Sequence, residues 1–304
     1  MQATAQQKRA TVFGGTGFLG RAVVARLAAT GAKVRIAVRH PEAGAPPAGA
    51  AAVAADVRDA ETVARAVADA DWVVNAVALY RESRGETFRA IHVEGARTVA
   101  AAAARGGAGA LVHISGIGAD LASGSSYVRA RATGEIAVLE AFSRATILRP
   151  SVLFGPGDSF FASLAPIARL LPVFPLFGDG RTRLQPVYVA DVADAVHRAL
   201  SQPEAQGRIY ELGGPHGYSY RDLIELLMRQ IGIRRPLLPL PFALWEAQAI
   251  LLSLLPSPPI TRDQIALMRK DNVADPALPG FAELGLAPAA VEEILPNYLG
   301  PAGP

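Results

Sequence analysis

The stretch TVFGGTGFLGRAVVARL, residues Thr11–Leu27, decides the fold of this 304-residue chain. An apolar run ends at Phe13, glycines follow at positions 14, 17 and 20, and the apolar spacing then becomes that of a helix. Each glycine has its own physical reason. Gly14 lets the chain turn tightly, Gly17 lets the backbone come close to phosphates, and Gly20 lets the helix pack on the strand. The helix N-terminus offers unpaired N–H groups and a partial positive charge, so the stretch predicts a dinucleotide pyrophosphate site at the first turn of a βαβ unit.

Outward from this loop the same alternation continues. Apolar runs ATVFG, KVRIAVR, AAVAADV, WVVNAVA, ALVHIS and ATILRPS alternate with helical spacing in GRAVVARLAATG, AETVARAVADA, RAIHVEGARTVAAAAARGG and YVRARATGEIAVLEAF. This pattern predicts an α/β fold, a Rossmann-type doubly wound parallel sheet. After Gly155 the segments FGPGDSF, LLPVFPLFGDG and ELGGPHGYSY are rich in Pro and Gly and separate short helices, which predicts a smaller, mostly helical C-terminal lobe. The expected domains are residues 1–155, with about 187–214 returning to them, and the remaining segments of 156–304. RIYELGG is expected at the edge of the sheet.

Composition removes several classes of function. Hydrophobic residues make up 51% and charged residues 19%, a globular balance, and 30 basic against 27 acidic side chains leave a net charge of +3 without a basic face suited to nucleic acid. With no cysteine there are no disulfides, iron-sulfur clusters or thiolate zinc sites. The five histidines, His40, His92, His113, His197 and His216, lack ligand spacing, and no metal is expected. MQATAQQKRATVFGG has no apolar run before the first strand and does not read as a secretion signal. The most apolar segment, Pro236 to Ile260, is broken by six prolines and one glutamate and falls short of the roughly 20 residues of a membrane span. Its leucines, Phe242 and Trp245 either close the core of the second lobe, which is the expectation for large apolar residues, or form an exposed patch for a partner, a ligand or a membrane. In the latter case Arg234 and Arg235 suit anionic headgroups. The expected location is cytoplasmic, or peripheral on the inner face of the cytoplasmic membrane.

The end of the second strand selects the dinucleotide. An acid there accepts from the ribose 2′-hydroxyl of NAD, but this chain has Arg39 followed by His40. An arginine attracts a 2′-phosphate and can stack on adenine, so NADPH is expected over NADH, with Arg39 as discriminator and Arg21 as a candidate helper. Asp56 ends the third strand, placed either to accept from the adenine amino group or to cap the next helix, and Asp191 is an N-cap candidate.

The segments GGTGFLGR, ADVRD, VVNAVA, IHVEGARTVAAAA, LVHISGIGA, SSYVRARATGE, ILRPSVLFGPGD and LQPVYVADVADAV resemble, in order, the motifs of the extended and atypical short-chain dehydrogenases/reductases. ITRDQIALMRKDNV followed by LPGFAELGLAP resembles the subgroup that contains the NADPH-binding accessory subunit of respiratory complex I and its bacterial relatives. The resemblance implies dinucleotide contacts from Gly14, Thr16, Gly17, Phe18, Leu19 and Gly20, from Asp56 and Val57, from Ala76, and from the backbone around Pro150 and Val152. It implies catalysis by a Tyr whose phenol, with a pKa of about 10, is activated by a Lys one helical turn on. Here the pair is Tyr127 and Arg131. Arginine keeps the charge, but its planar fork cannot copy a compact ammonium between two ribose hydroxyls. The family's Ser or Thr after the fifth strand falls on Ser115 or is lost to Gly116, with Ser125 and Ser126 as substitutes. The resemblance implies NADPH binding with doubtful hydride transfer. It also implies a partner in respiratory complex I, or at a membrane surface, through the C-terminal lobe. The alternative is an active reductase or epimerase-like enzyme on a carbonyl, quinone or lipid-related substrate, in ubiquinone metabolism for example.

Overall fold

A computed structural model of the chain describes residues 7–43, 46–47, 49–83, 85–252 and 262–300. The six apolar runs of the N-terminal half form parallel strands: β1 (Arg9–Phe13), β2 (Lys33–Val38), β3 (Ala50–Ala54), β4 (Trp72–Asn75), β5 (Ala110–Ile114) and β6 (Thr146–Pro150). Ile209–Leu212 adds a seventh at the edge beside β6, giving the order Ile209–Leu212, β6, β5, β4, β1, β2, β3, parallel throughout. The chain winds from β1 outward to β3 and then returns to place β4 against the other side of β1. The order of winding therefore reverses between β1 and β4, where crevices for ligands form in such sheets. Phe13, at the carboxyl end of β1, pairs in register with Ala37 of β2 and Asn75 of β4.

Helices cover both faces because the strands are apolar on both. On one side α2 (Ala60–Val67), α3 (Ala96–Arg105) and α4 (Ser126–Ala141) share a core built from Val63, Val67, Val99, Ala100, Val138 and Phe142 with Phe13, Val73, Leu111 and Ile147 of the strands. The small side chains of α3 let it pack closely between α2 and α4. On the other side α1 (Phe18–Ala29) packs against the helix Val189–Ser201. Two N-caps fix helix starts: Asp59 accepts from the backbone N–H of Glu61 and Thr62, and Ser125 accepts from that of Val128. The helix after LQPVY begins at Val189, so Asp191 lies inside its first turn and is not the N-cap.

The long helical segment RAIHVEGARTVAAAAARGG is not one uniform helix. Residues Arg89–Gly95 form a π-helical turn before α3. The wide turn carries the His92 carbonyl against α4 at Gly134, where a Cβ would lie 2.0 Å from that oxygen. Inside this unit Arg149 donates to Glu135 at 2.9 and 2.6 Å and to Glu211 at 3.2 Å, one guanidinium between two buried carboxylates.

Two compact units emerge. The first gathers the described residues of Met1–Pro150 with Val189–Leu212 and Pro276–Ala287; the second gathers those of Ser151–Tyr188, Gly213–Asp275 and Pro288–Pro304. The second has its own core of Phe154, Phe161, Phe174, Leu176, Tyr220 and Leu227, held by two-stranded ladders and short helices. Within it the helix Phe242–Leu252 divides the two expectations for the apolar segment. Trp245 stacks on Phe177 with ring centroids 4.4 Å apart and donates to the Leu176 carbonyl, whereas Leu244, Ile250 and Leu251 are exposed. Leu237 packs against the core, so the expectation that the segment's leucines close it holds in part and fails for Leu244 and Leu251; residues 253–260 lie outside the described part. No helix among the described residues is long and apolar enough to cross a membrane.

Candidate functional site

The glycine loop sits at the switch point, between the ends of β1 and β4. Gly14 has φ +76°, and a Cβ there would lie 2.6 Å from the Ala76 carbonyl oxygen, so only glycine allows the loop after β1 to touch the chain leaving β4. Gly20 is needed for a different reason: its Cβ would stand 1.9 Å from the Gly14 oxygen, and its absence lets α1 start directly beneath the loop. Gly17 is the N-cap residue of α1 with no side chain capping the helix, and among the described residues beyond its chain neighbours only the Gly14 oxygen, at 3.3 Å, comes within 4 Å of its missing Cβ. This leaves an open cradle at a helix N-terminus, suited to a pyrophosphate. Thr16 is exposed, Phe18 half-buried, and Leu19 buried in the core. The Arg21 guanidinium turns back on the loop and donates to the Thr16 carbonyl at 2.9 Å. That contact braces the loop.

Three charges follow β2 and β3, and a fourth comes from the chain after β4. Arg39 follows β2, is exposed, and pairs with Glu86, a residue that the sequence reading did not single out. Asp56 follows β3 and accepts from the Arg58 side chain and backbone N–H, which holds its carboxyl below the usual range and raises the Arg58 guanidinium in turn. Of the two roles considered for Asp56, helix capping is taken by Asp59, and the Asp56 carboxylate fixes Arg58. Val57 is buried, and its side chain fills the space beside Gly95. Glu86 lies 47 positions from Arg39, which is why that pairing was not legible in the sequence.

The third group surrounds the phenol. Tyr127 and Arg131, one turn apart on α4, are brought together: Arg131 Nη1 donates to the Tyr127 hydroxyl at 3.1 Å. Phe88, His92 and Tyr80 ring the phenol at centroid distances of 5.4, 5.5 and 5.9 Å. Burial raises the Tyr127 pKa, opposed in part by Arg131. Burial also pushes His92 down to about 4, and its Nε2 lies 2.9 Å from the Leu79 carbonyl oxygen. The histidine is therefore neutral and acts as an aromatic wall.

Gly116 explains the rest of this arrangement. A Cβ at position 116 would meet the Arg131 guanidinium at 2.2, 2.4 and 2.6 Å. The arginine fork thus fills the volume that a side chain at 116 would need, and the two departures from the Ser/Thr, Tyr, Lys pattern are sterically one. Ser115 offers no replacement contact, since its hydroxyl is buried without a hydrogen-bond partner. Ser125 is engaged as a helix cap, and Ser126 is exposed. Pro150 ends β6, and its carbonyl accepts from Ile117 N–H; Val152 belongs to the second unit, where it packs against that unit's core. Among the described residues no group of three or more His, Asp or Glu could hold a metal ion.

A parallel sheet with a glycine loop at its switch point and a Tyr-x-x-x-Arg turn over a glycine defines an NAD(P)-binding fold of the short-chain dehydrogenase/reductase class. The chain belongs to the NAD dependent epimerase/dehydratase family, which matches residues 10–213. It is 34% identical over 298 residues to the NADH dehydrogenase [ubiquinone] 1 alpha subcomplex subunit 9, mitochondrial, of Arabidopsis thaliana, covering 92% of this chain and 74% of that protein. It is 29% identical over 241 residues to a ceramide reductase of Caulobacter vibrioides, covering 76% and 73%. The crystal structure of a UDP-glucose 4-epimerase with UDP-glucose from Thermotoga maritima shares the fold, with a TM-score of 0.72 at 20% identity over 96% of this chain and 97% of that one.

Proposed function

We propose that this protein binds NADPH and holds it as a structural cofactor, in a role like that of the NADH dehydrogenase subunit it resembles, with slow or no hydride transfer. The observation that carries this reading is the Arg131 fork, which donates to the Tyr127 hydroxyl and occupies the space over Gly116. A reductase phenol must release or take up a proton as hydride moves. Burial raises the pKa of this one, and no hydroxyl at position 116 can share its proton. In this reading the pyrophosphate rests on Gly14, Thr16, Gly17, Phe18, Leu19 and Gly20, Arg39 takes the 2′-phosphate, and Asp56, Val57 and Ala76 line the adenosine side. Tyr127 and Arg131 position the nicotinamide ribose, with the backbone of Pro150 at the nicotinamide. When bound, the cofactor supplies hydride chemistry; the chain's own residues supply orientation and a buried wall of Phe88 and His92.

A bound dinucleotide adds to the stability of the fold by mass action, which is sufficient reason to keep the site after the chemistry fades. The location that accompanies this reading is the cytoplasm, peripheral on the inner membrane face, with the C-terminal lobe meeting a respiratory complex. The similarity to a ceramide reductase favours a second reading, an active reductase on a carbonyl or lipid-related substrate.

The test is to purify the protein, identify the nucleotide released on denaturation, and follow nicotinamide absorbance of the bound form while quinones, aldehydes and keto-lipids are added. Tightly held NADPH that no acceptor oxidises is the expected result. Oxidation over many turnovers would replace the proposal with the second reading, and release of no nucleotide together with no affinity for added NADPH would remove both.

A further inference from the structure

The reading above, on which this inference rests, gives the 2′-phosphate to Arg39, and the Arg39–Glu86 pair poses a problem for it. The guanidinium assigned to a 2′-phosphate already has a carboxylate partner. The partner comes from the turn after β4, not from β2 or β3. That turn is built: Ser83 and Glu86 exchange backbone hydrogen bonds at 3.0 and 3.1 Å, Gly85 takes φ +82°, and the Glu82 carboxylate accepts from Phe88 N–H at 2.7 Å. It is fastened at a second point, because Arg58 Nη1 donates to the Gly85 carbonyl at 2.8 Å. Two cations from the ends of β2 and β3 therefore grip adjacent residues of one turn. Glu86 is also the less exposed member of its pair, at 25% against 55% for Arg39.

An exposed ion pair alone carries little free energy. Its location gives it a consequence for ligands. Glu86 offsets the charge of Arg39 and Asp56 offsets that of Arg58, so these two ion pairs together offer a 2′-phosphate less attraction than a lone Arg39 would. A phosphate monoester brings nearly two negative charges to this cluster, and phosphate oxygens match a guanidinium fork as well as a carboxylate does. The phosphate must displace Glu86 from Arg39 and then coexist with it nearby. A 2′-hydroxyl makes no such demand.

We propose that Glu86 is a second determinant of cofactor choice, a counter-charge that occupies Arg39 in the empty site and yields it to the 2′-phosphate, lowering the preference for NADPH that Arg39 alone would give. The Glu86 side chain is the group that moves, while Arg58 holds the backbone at Gly85 beside it.

The experiment is calorimetric titration of the full-length, nucleotide-freed protein with NADPH and with NADH, on wild type, Glu86→Gln and Glu86→Asp, with circular dichroism to confirm folding. Glu86→Gln is expected to tighten NADPH about 5- to 20-fold with NADH changed less than about twofold, as the loss of one nearby like charge predicts. Raising salt from about 0.05 to about 0.5 M should shrink the difference, since screening acts on exposed charges. Glu86→Asp keeps the charge and should hold the NADPH to NADH ratio within about threefold of wild type. Equal effects on both dinucleotides, weakened NADPH, or a loss confined to NADH would overturn the proposal; the last would make Glu86 an acceptor for the ribose hydroxyl. Failure of wild type and variants alike to bind either dinucleotide would instead overturn the reading of the site, and this inference with it.

Discussion

Restoring a hydroxyl at position 116 should fail unless Arg131 is replaced as well. In the wild-type chain a Cβ at 116 would stand 2.2 Å from the Arg131 guanidinium, and ordinary contact begins near 3.4 Å, so Gly116→Ser forces a retreat of about 1.2 Å. A retreat of that size away from β5 breaks the 3.1 Å hydrogen bond from Arg131 to the Tyr127 hydroxyl unless the fork turns about it, and the expected outcome is that it breaks. Its donor is charged and its acceptor buried, so the loss is worth about 1.5–3 kcal/mol. In an Arg131→Lys background the fork is gone, and Gly116→Ser should cost under about 1 kcal/mol. The assay is a double-mutant cycle by urea unfolding at neutral pH, with NADPH-dependent reduction of a panel of carbonyls measured on the same four proteins. The expected coupling is at least about 1 kcal/mol, with activity rising in the double variant beyond either single one. Additivity within about 0.5 kcal/mol would show that Gly116 and Arg131 are not a matched pair and would refute the steric account of the altered site.

Two further outcomes follow from buried groups near the same sheet. Arg149→Met leaves Glu135 and Glu211 buried without their shared cation, and unfolding free energy should fall by about 3–5 kcal/mol; a change under about 1 kcal/mol in urea titrations would mean that the carboxylates have other sufficient partners. His92 has a folded pKa of about 4 against 6.5 for the free group, so its contribution to stability is complete above pH 6.5 and is lost as pH falls from there towards 4. The loss amounts to about 3 kcal/mol. His92→Gln should flatten the stability profile in that window by one proton's worth of slope, leaving the equal slope expected from His113, which burial lowers to about 3 and whose loss therefore continues to lower pH; an unchanged profile from pH 6.5 to 4 would refute it.

By itself the sequence determined the dinucleotide fold, because its signals are local and periodic. Strand and helix spacing, the strand-to-helix turn with glycines at 14, 17 and 20, and an arginine where an acid is common are all set by neighbours a few residues apart. The altered Tyr-x-x-x-Lys pattern was legible for the same reason, since Tyr127 and Arg131 are one helical turn apart. Tertiary structure alone decided what those residues touch. Glu86 reaches Arg39 across 47 positions, and Arg58 holds Gly85 across 27. The Arg131 fork fills the space over Gly116 because β5 and α4 converge there. A π-helical turn puts His92 on the Tyr127 ring, although its sequence has ordinary helical spacing. In Phe242–Leu252 composition could not separate Trp245, which stacks on Phe177, from Leu244 and Leu251, which face solvent. Contacts of this kind depend on chain segments meeting after the sheet has formed, and hydrophobicity along one segment does not encode its partner.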